Sequence, residues 1–178
     1  MSRPTQPWLL VVLLVLAGCV AGPFAPRVDR SAPVELGNTA AESYHFEVSL
    51  AGIGSNLTVR RQDGTVQEVD LAVSSFGARS TTENPIAAVD FPEGTNRYGN
   101  YTLASGERTE FVVEAVRQDQ SLVVVVVESD TGAVHSVHGA SCRPVYFTAF
   151  ELVVRSGPQA ENRTGSAYVA DVTSSCGG

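Results

Sequence analysis

The chain has 178 residues, 43% of them hydrophobic, and a formal net charge of −7 at pH 7. All 12 basic residues are arginine, against 19 acidic residues. This balance disfavours nucleic acid and anionic lipid head groups as partners, and the length suits one domain with short appendages.

The N-terminus comes first in chain order. Arg3 supplies a positive start, and no acidic residue precedes Asp29. Trp8 to Ala17 is a ten-residue apolar run. A membrane-spanning helix needs roughly 20 apolar residues, so this run has the length of a signal-peptide core instead. Leu16-Ala17-Gly18-Cys19 closes it with small residues and a cysteine. These residues resemble the lipobox of bacterial and archaeal lipoprotein signals, and the resemblance covers only the first 19 residues. It implies cleavage before Cys19, lipid on Cys19, and attachment to the extracytoplasmic face of the cell membrane. The alternatives are an ordinary secretory signal with a chance cysteine, or an uncleaved anchor. No Arg-Arg pair precedes the core, which favours general secretion over twin-arginine export. The predicted divisions are a signal peptide over 1–18, a tether over 19–41, and a β-domain over 34–176.

Export bears on the other two cysteines. Cys142 and Cys176 form an even pair in an oxidising compartment, and a disulfide between them is expected. Loss of Arg3 with the signal would leave the mature chain more negative still. A lysine-free chain rich in Asp, Glu, Val, Ala and Gly looks like the product of a GC-rich genome. It is similar to the acidic proteins of halophilic archaea, where high salt screens self-repulsion; a high-GC bacterium is the alternative source.

Val20–Ala41 is Pro- and Gly-rich and reads as a tether, with a short edge strand at Val34–Leu36 near its end. From Ser43 the pattern turns to period two. Tyr44–Leu50 alternates apolar with polar residues and predicts a half-buried strand. Asn56–Arg61 and Thr65–Val73 flank Asp63-Gly64, a hairpin signal. Ser74–Gly99 is rich in Ser, Thr, Gly, Pro and Asn; it reads as a long, partly irregular connection anchored by Phe91. Strands are then predicted at Tyr98–Leu103, Thr109–Arg117, Ser121–Glu128, Ala133–His138, Val145–Arg155 and Ser166–Thr173. Ser105-Gly106 and Ser129–Gly132 supply turns, and Ser156–Gly165 a loop. The five valines of Val123–Val127 predict a central strand buried on both faces. No stretch has a convincing helical period.

Strands at this spacing predict one antiparallel β-sandwich, with a barrel as the structural alternative. The pattern, for example Gly106–Val113 leading into the valine strand, resembles the immunoglobulin-like and fibronectin-like domains of prokaryotic surfaces. The resemblance spans most of 34–173 but carries no family-specific motif. The antibody-type Cys…Trp…Cys arrangement is missing, since Trp8 lies in the signal.

Chemistry is sparse. His45 alternates onto a polar strand face. His135 and His138, three apart on a predicted strand, are expected on opposite faces, where they cannot share a metal ion. Ser141 stands beside Cys142 with no base at a recognisable spacing. Glu128 and Asp130 place two carboxylates at a turn, a weak calcium pattern better read as a plain hairpin turn. No metalloprotease, nucleophile-elbow or phosphate-loop motif occurs. No catalytic residue, metal ligand or cofactor is therefore assigned. Asn56, Asn100 and Asn162 head Asn-x-Thr sequons and are candidate glycosylation sites, with Asn162 the best placed in a polar loop. The function expected is a lipid-anchored surface module that binds a protein or glycan, or serves the envelope structurally. The alternative is an extracytoplasmic hydrolase or ligand-binding protein with a site assembled from loops.

Overall fold

The computed structural model describes residues 30–143, 145–156 and 168–177. The signal peptide, Cys19, the beginning of the tether and Asn162 lie outside them. The elements, in order, are β1 (Arg30–Asn38), β2 (Tyr44–Gly52), β3 (Asn56–Arg61), β4 (Val66–Asp70), β5 (Phe76–Arg79) and β6 (Ile86–Asp90). They continue with β7 (Asn96–Leu103), β8 (Arg108–Val116), β9 (Gln120–Glu128), β10 (Val134–Ala140), β11 (Tyr146–Ser156) and β12 (Tyr168–Gly177). There is no helix among the described residues. The described residues are all-β, as the period-two patterning predicts.

Two open sheets form. The smaller has the order β12-β11-β1-β8; the larger runs β4-β3-β6-β10-β9-β2-β7, with β5 paired to β10. Neither closes on itself, which sets the barrel aside in favour of the sandwich. One pairing departs from the antiparallel expectation: β1 runs parallel to β11, with Val34 opposite Phe150. Every other pairing among the described residues is antiparallel.

The strand expected at the edge, Val34–Leu36, is longer and interior: β1 lies between β11 and β8. Pro33 suits an edge because it lacks a main-chain donor. Pairing with β11 begins only at Val34, so at Pro33 one side of β1 is still unpaired. The connection expected over Ser74–Gly99 holds β5, β6 and the start of β7. Its Ser and Thr residues are used in the scaffold as well as in loops. Ser80 accepts the Ile86 N–H (2.8 Å) and donates to the Val134 carbonyl, tying β5, β6 and β10 at one point.

The core is double. Between the sheets, Val34 and Leu36 of β1, Phe150 and Leu152 of β11, and Val113 of β8 pack against Phe46 and Val48 of β2 and Val124 and Val126 of β9. The opposite face of β9 presents Val123 and Val125 to a second cluster with Leu57, Val59, Leu71 and Ile86. Phe91 packs against that second cluster. The valine run is thus apolar throughout because β9 is the shared wall of two cores, and Val123 to Val126 are all buried.

Two side-chain ties hold the segment after β4 onto this wall. The buried Ser121 hydroxyl donates to the Leu71 carbonyl. The Ser141 hydroxyl lies 3.0 Å from the Ala72 carbonyl and 2.9 Å from that of Val73. Cys142 and Cys176 are joined by a disulfide, with a Cα–Cα distance of 5.4 Å. It fastens the end of β12 to the residues that follow β10.

Candidate functional site

A bulge in β10 reorganises the histidines. Val134 pairs with Val127 and Ser136 with Val126, so His135 is an extra residue that shifts the side-chain alternation. The expectation that His135 and His138 point to opposite faces is therefore overturned. His138 lies opposite Val124 and Ser136 opposite Val126, on the face of the inter-sheet core. His135 turns to that face as well. Its ring meets the ring of Tyr44 edge-on, with centroids 5.3 Å apart. Its Nδ1 is 3.0 Å from the Ser136 hydroxyl.

Burial is the main reason both imidazoles are hard to protonate. It pushes His138 down to about 4, helped by the positive charges of Arg79 and His135. His135 is lowered by burial and Arg79, against the opposing carboxylate of Glu128. His138 is therefore neutral at pH 7. His138 is 5% exposed, and its Nε2 has no hydrogen-bond partner among the described residues.

His138 lines a cleft of about 430 Å³ between the free edges of β5 and β12. Ser75 and the β5 residues Phe76, Gly77 and Arg79 form one wall; Ala170 and Val172 form the other. Gly77 stands opposite His138. A Cβ there would come within 3.0 Å of Nδ1, so the imidazole lies directly over the glycine main chain. Arg79 reaches across the cleft and donates from Nη2 to the Ala170 carbonyl at 3.3 Å. Among the described residues Arg79 has no acidic partner. The cleft can therefore offer a guanidinium and strand-edge main chain to a small polar group, beside a buried imidazole.

The remaining sequence candidates are placed apart from it. His45 is on β2, its Nδ1 3.0 Å from the Thr102 hydroxyl in an exposed pair. Ser141 is spent on the two carbonyls named above. Glu128 and Asp130 form the hairpin turn: Thr131 donates to the Glu128 carboxylate at 2.8 Å, and the Gly132 N–H to the Glu128 carbonyl at 2.9 Å. Among the described residues no three His, Cys, Asp or Glu side chains group as a metal ion would require. Asn56 is exposed, but its amide donates to Glu68 at 3.1 Å. Asn100 is exposed on β7, an edge of the larger sheet.

Arg79 and Gly77 escape sequence reasoning because the four residues Phe76-Gly77-Ala78-Arg79 are too few to establish an alternation. The one signal in the sequence is an arginine beside small residues in a stretch otherwise read as irregular. No protein family, curated protein or solved structure matches this chain.

Proposed function

We propose that this chain is a non-catalytic module carried on the extracytoplasmic face of the cell membrane by a lipid on Cys19, where it binds a protein or glycan or serves the envelope. The Leu16–Cys19 lipobox supports the location, and a disulfide suits an oxidising compartment. The alternating strands that resemble immunoglobulin-like and fibronectin-like surface domains point the same way, and the lysine-free acidic composition points to a halophilic archaeon as the source.

One observation supports the non-catalytic reading. The hydroxyl nearest to a nucleophile pattern, Ser141, donates to the main-chain carbonyls of Ala72 and Val73. A nucleophile needs a base within hydrogen-bond reach and an open line to substrate. Ser141 is instead 2% exposed and serves as a clamp.

The test has two arms. Cys19→Ser in the native cell is expected to release the protein or leave an unprocessed precursor; a processed, membrane-bound mutant overturns the anchor. A hydrolase panel on the purified protein is expected to show no turnover. Activity that survives repurification and disappears with one substitution in 74–99 overturns the non-catalytic reading in favour of a loop-built enzyme site.

A further inference from the structure

We propose that the cleft between β5 and β12 is a binding site for a carboxylate carried by a small ligand of this module. Three observations converge. First, His138 lines the cleft, is buried to 5% exposure, and its Nε2 has no partner among the described residues. Nε2 is closed to solvent, so the imidazole stands in the cleft as an uncharged wall beside the guanidinium.

Second, the charge at the cleft is positive in a chain whose net charge is −7. Arg79, which lines it, has no acidic partner among the described residues. Of the nearby carboxylates, Glu128 faces His135 and is held by Thr131, and Asp171, between Ala170 and Val172 in sequence, is paired with Arg155 at 2.8 Å.

Third, the strand edge supplies donors. The Ala170 carbonyl accepts from Arg79, so it faces away from β11. Alternate residues of an antiparallel strand turn their main chain to the same side. Val172 therefore presents its N–H to the cleft, beside the guanidinium. A planar carboxylate matches this set: the arginine fork takes its two oxygens, and the Val172 N–H can add a donor. A bare halide would satisfy only one of these directions.

This deepens the binding half of the reading above and does not depend on the lipid. Failure of the cleft leaves the membrane result for Cys19→Ser untouched, and the reverse.

The experiment is a titration of the full chain, purified in detergent, with sodium acetate, sodium phosphate and sodium chloride at matched ionic strength. The readout is the His138 imidazole ¹⁵N resonance. Acetate is expected to give a saturable shift in the millimolar range, and chloride none. Arg79→Gln is expected to weaken acetate binding by about tenfold. Arg79→Lys, which keeps charge without the fork, should fall between the two. Arg97→Gln on β7 should leave binding unchanged. Thermal melts of each variant show whether it is folded. A saturable response to phosphate but not to acetate overturns the carboxylate assignment. No saturable shift, an equal shift with all three salts, or unchanged affinity in folded Arg79 variants overturns the site.

Discussion

The side-chain amide of Asn38 donates to the carbonyl of Leu103 at 3.0 Å, although 65 residues separate them. The same amide donates to the Glu42 carbonyl at 2.7 Å, and Oδ1 accepts the Ala40 N–H at 3.0 Å. Asn38 is wholly buried, and every polar direction named here is used. It joins the end of β1, in one sheet, to the end of β7, in the other.

Asn38→Ala is expected to destabilise the protein by about 2–4 kcal/mol, because it strands buried main-chain groups as well as losing the bonds. Asn38→Asp should fare little better, since an ionised carboxylate cannot donate to two carbonyls. Urea denaturation checks both, through the midpoint at unchanged slope.

Removing the disulfide should be comparably costly. Cys142 and Cys176 are 34 residues apart, and closing a loop of that size contributes about 3–4 kcal/mol in the chain-entropy model. The double variant Cys142→Ser/Cys176→Ser should therefore unfold at clearly lower denaturant, and reductant should lower the midpoint of the native protein but not of the variant. Alkylation without reductant, read by intact mass, should leave both residues unlabelled.

Stability should depend on pH through His138. Its folded pKa, about 4, is below the ordinary value of 6.5. Between these values the unfolded chain binds more protons than the folded one, so stability falls on acidification from about pH 6.5 to about 4 and is level above that window. The total is on the order of 3 kcal/mol, with His135 adding in the same direction. Asp63 does not enter this window. Hydrogen bonds from the Thr65 main chain and side chain hold it below the usual carboxylate range, so its contribution is present above that range and lost only beneath it. Replacing His138 by Leu should flatten the slope; an unchanged slope in denaturation curves taken across pH 4–7 would refute the assignment.

Ala115 lies in β8 with φ of 58°, left-handed backbone for a residue with a Cβ. It falls where β8 gains a residue against β1, between the Ala32–Val113 and Arg30–Val116 pairs. Ala115→Gly should relieve about 1 kcal/mol of strain, partly offset by the greater freedom of glycine when unfolded. The expected outcome is a small rise in Tm; a fall would mean that the methyl packs usefully.

The sequence displays what is local. Period two places β2, β3, β7 and β8, the unbroken valine run places β9, and glycines with positive φ at Gly64, Gly106 and Gly132 mark the turns where they are expected. What it hides is long-range. The parallel partner of β1 is β11, more than a hundred residues away, and no local pattern encodes that pairing. The bulge at His135 is equally silent, since one added residue reverses the side-chain alternation without altering composition. The candidate cleft inherits both problems, because its walls come from β5, β10 and β12, three segments far apart in the chain.

The five valines of β9 have a consequence for how this fold finds itself. Moving a strand by one residue exchanges its two faces, yet here the exchange would place valine where valine had been. The run supplies adhesion without an address. Alignment must come from its ends: the Ser121 hydroxyl seeking the Leu71 carbonyl, and Glu128 closing the hairpin through Ala133 and Gly132. Two polar residues thus act as the vernier for an apolar strand that could otherwise slide.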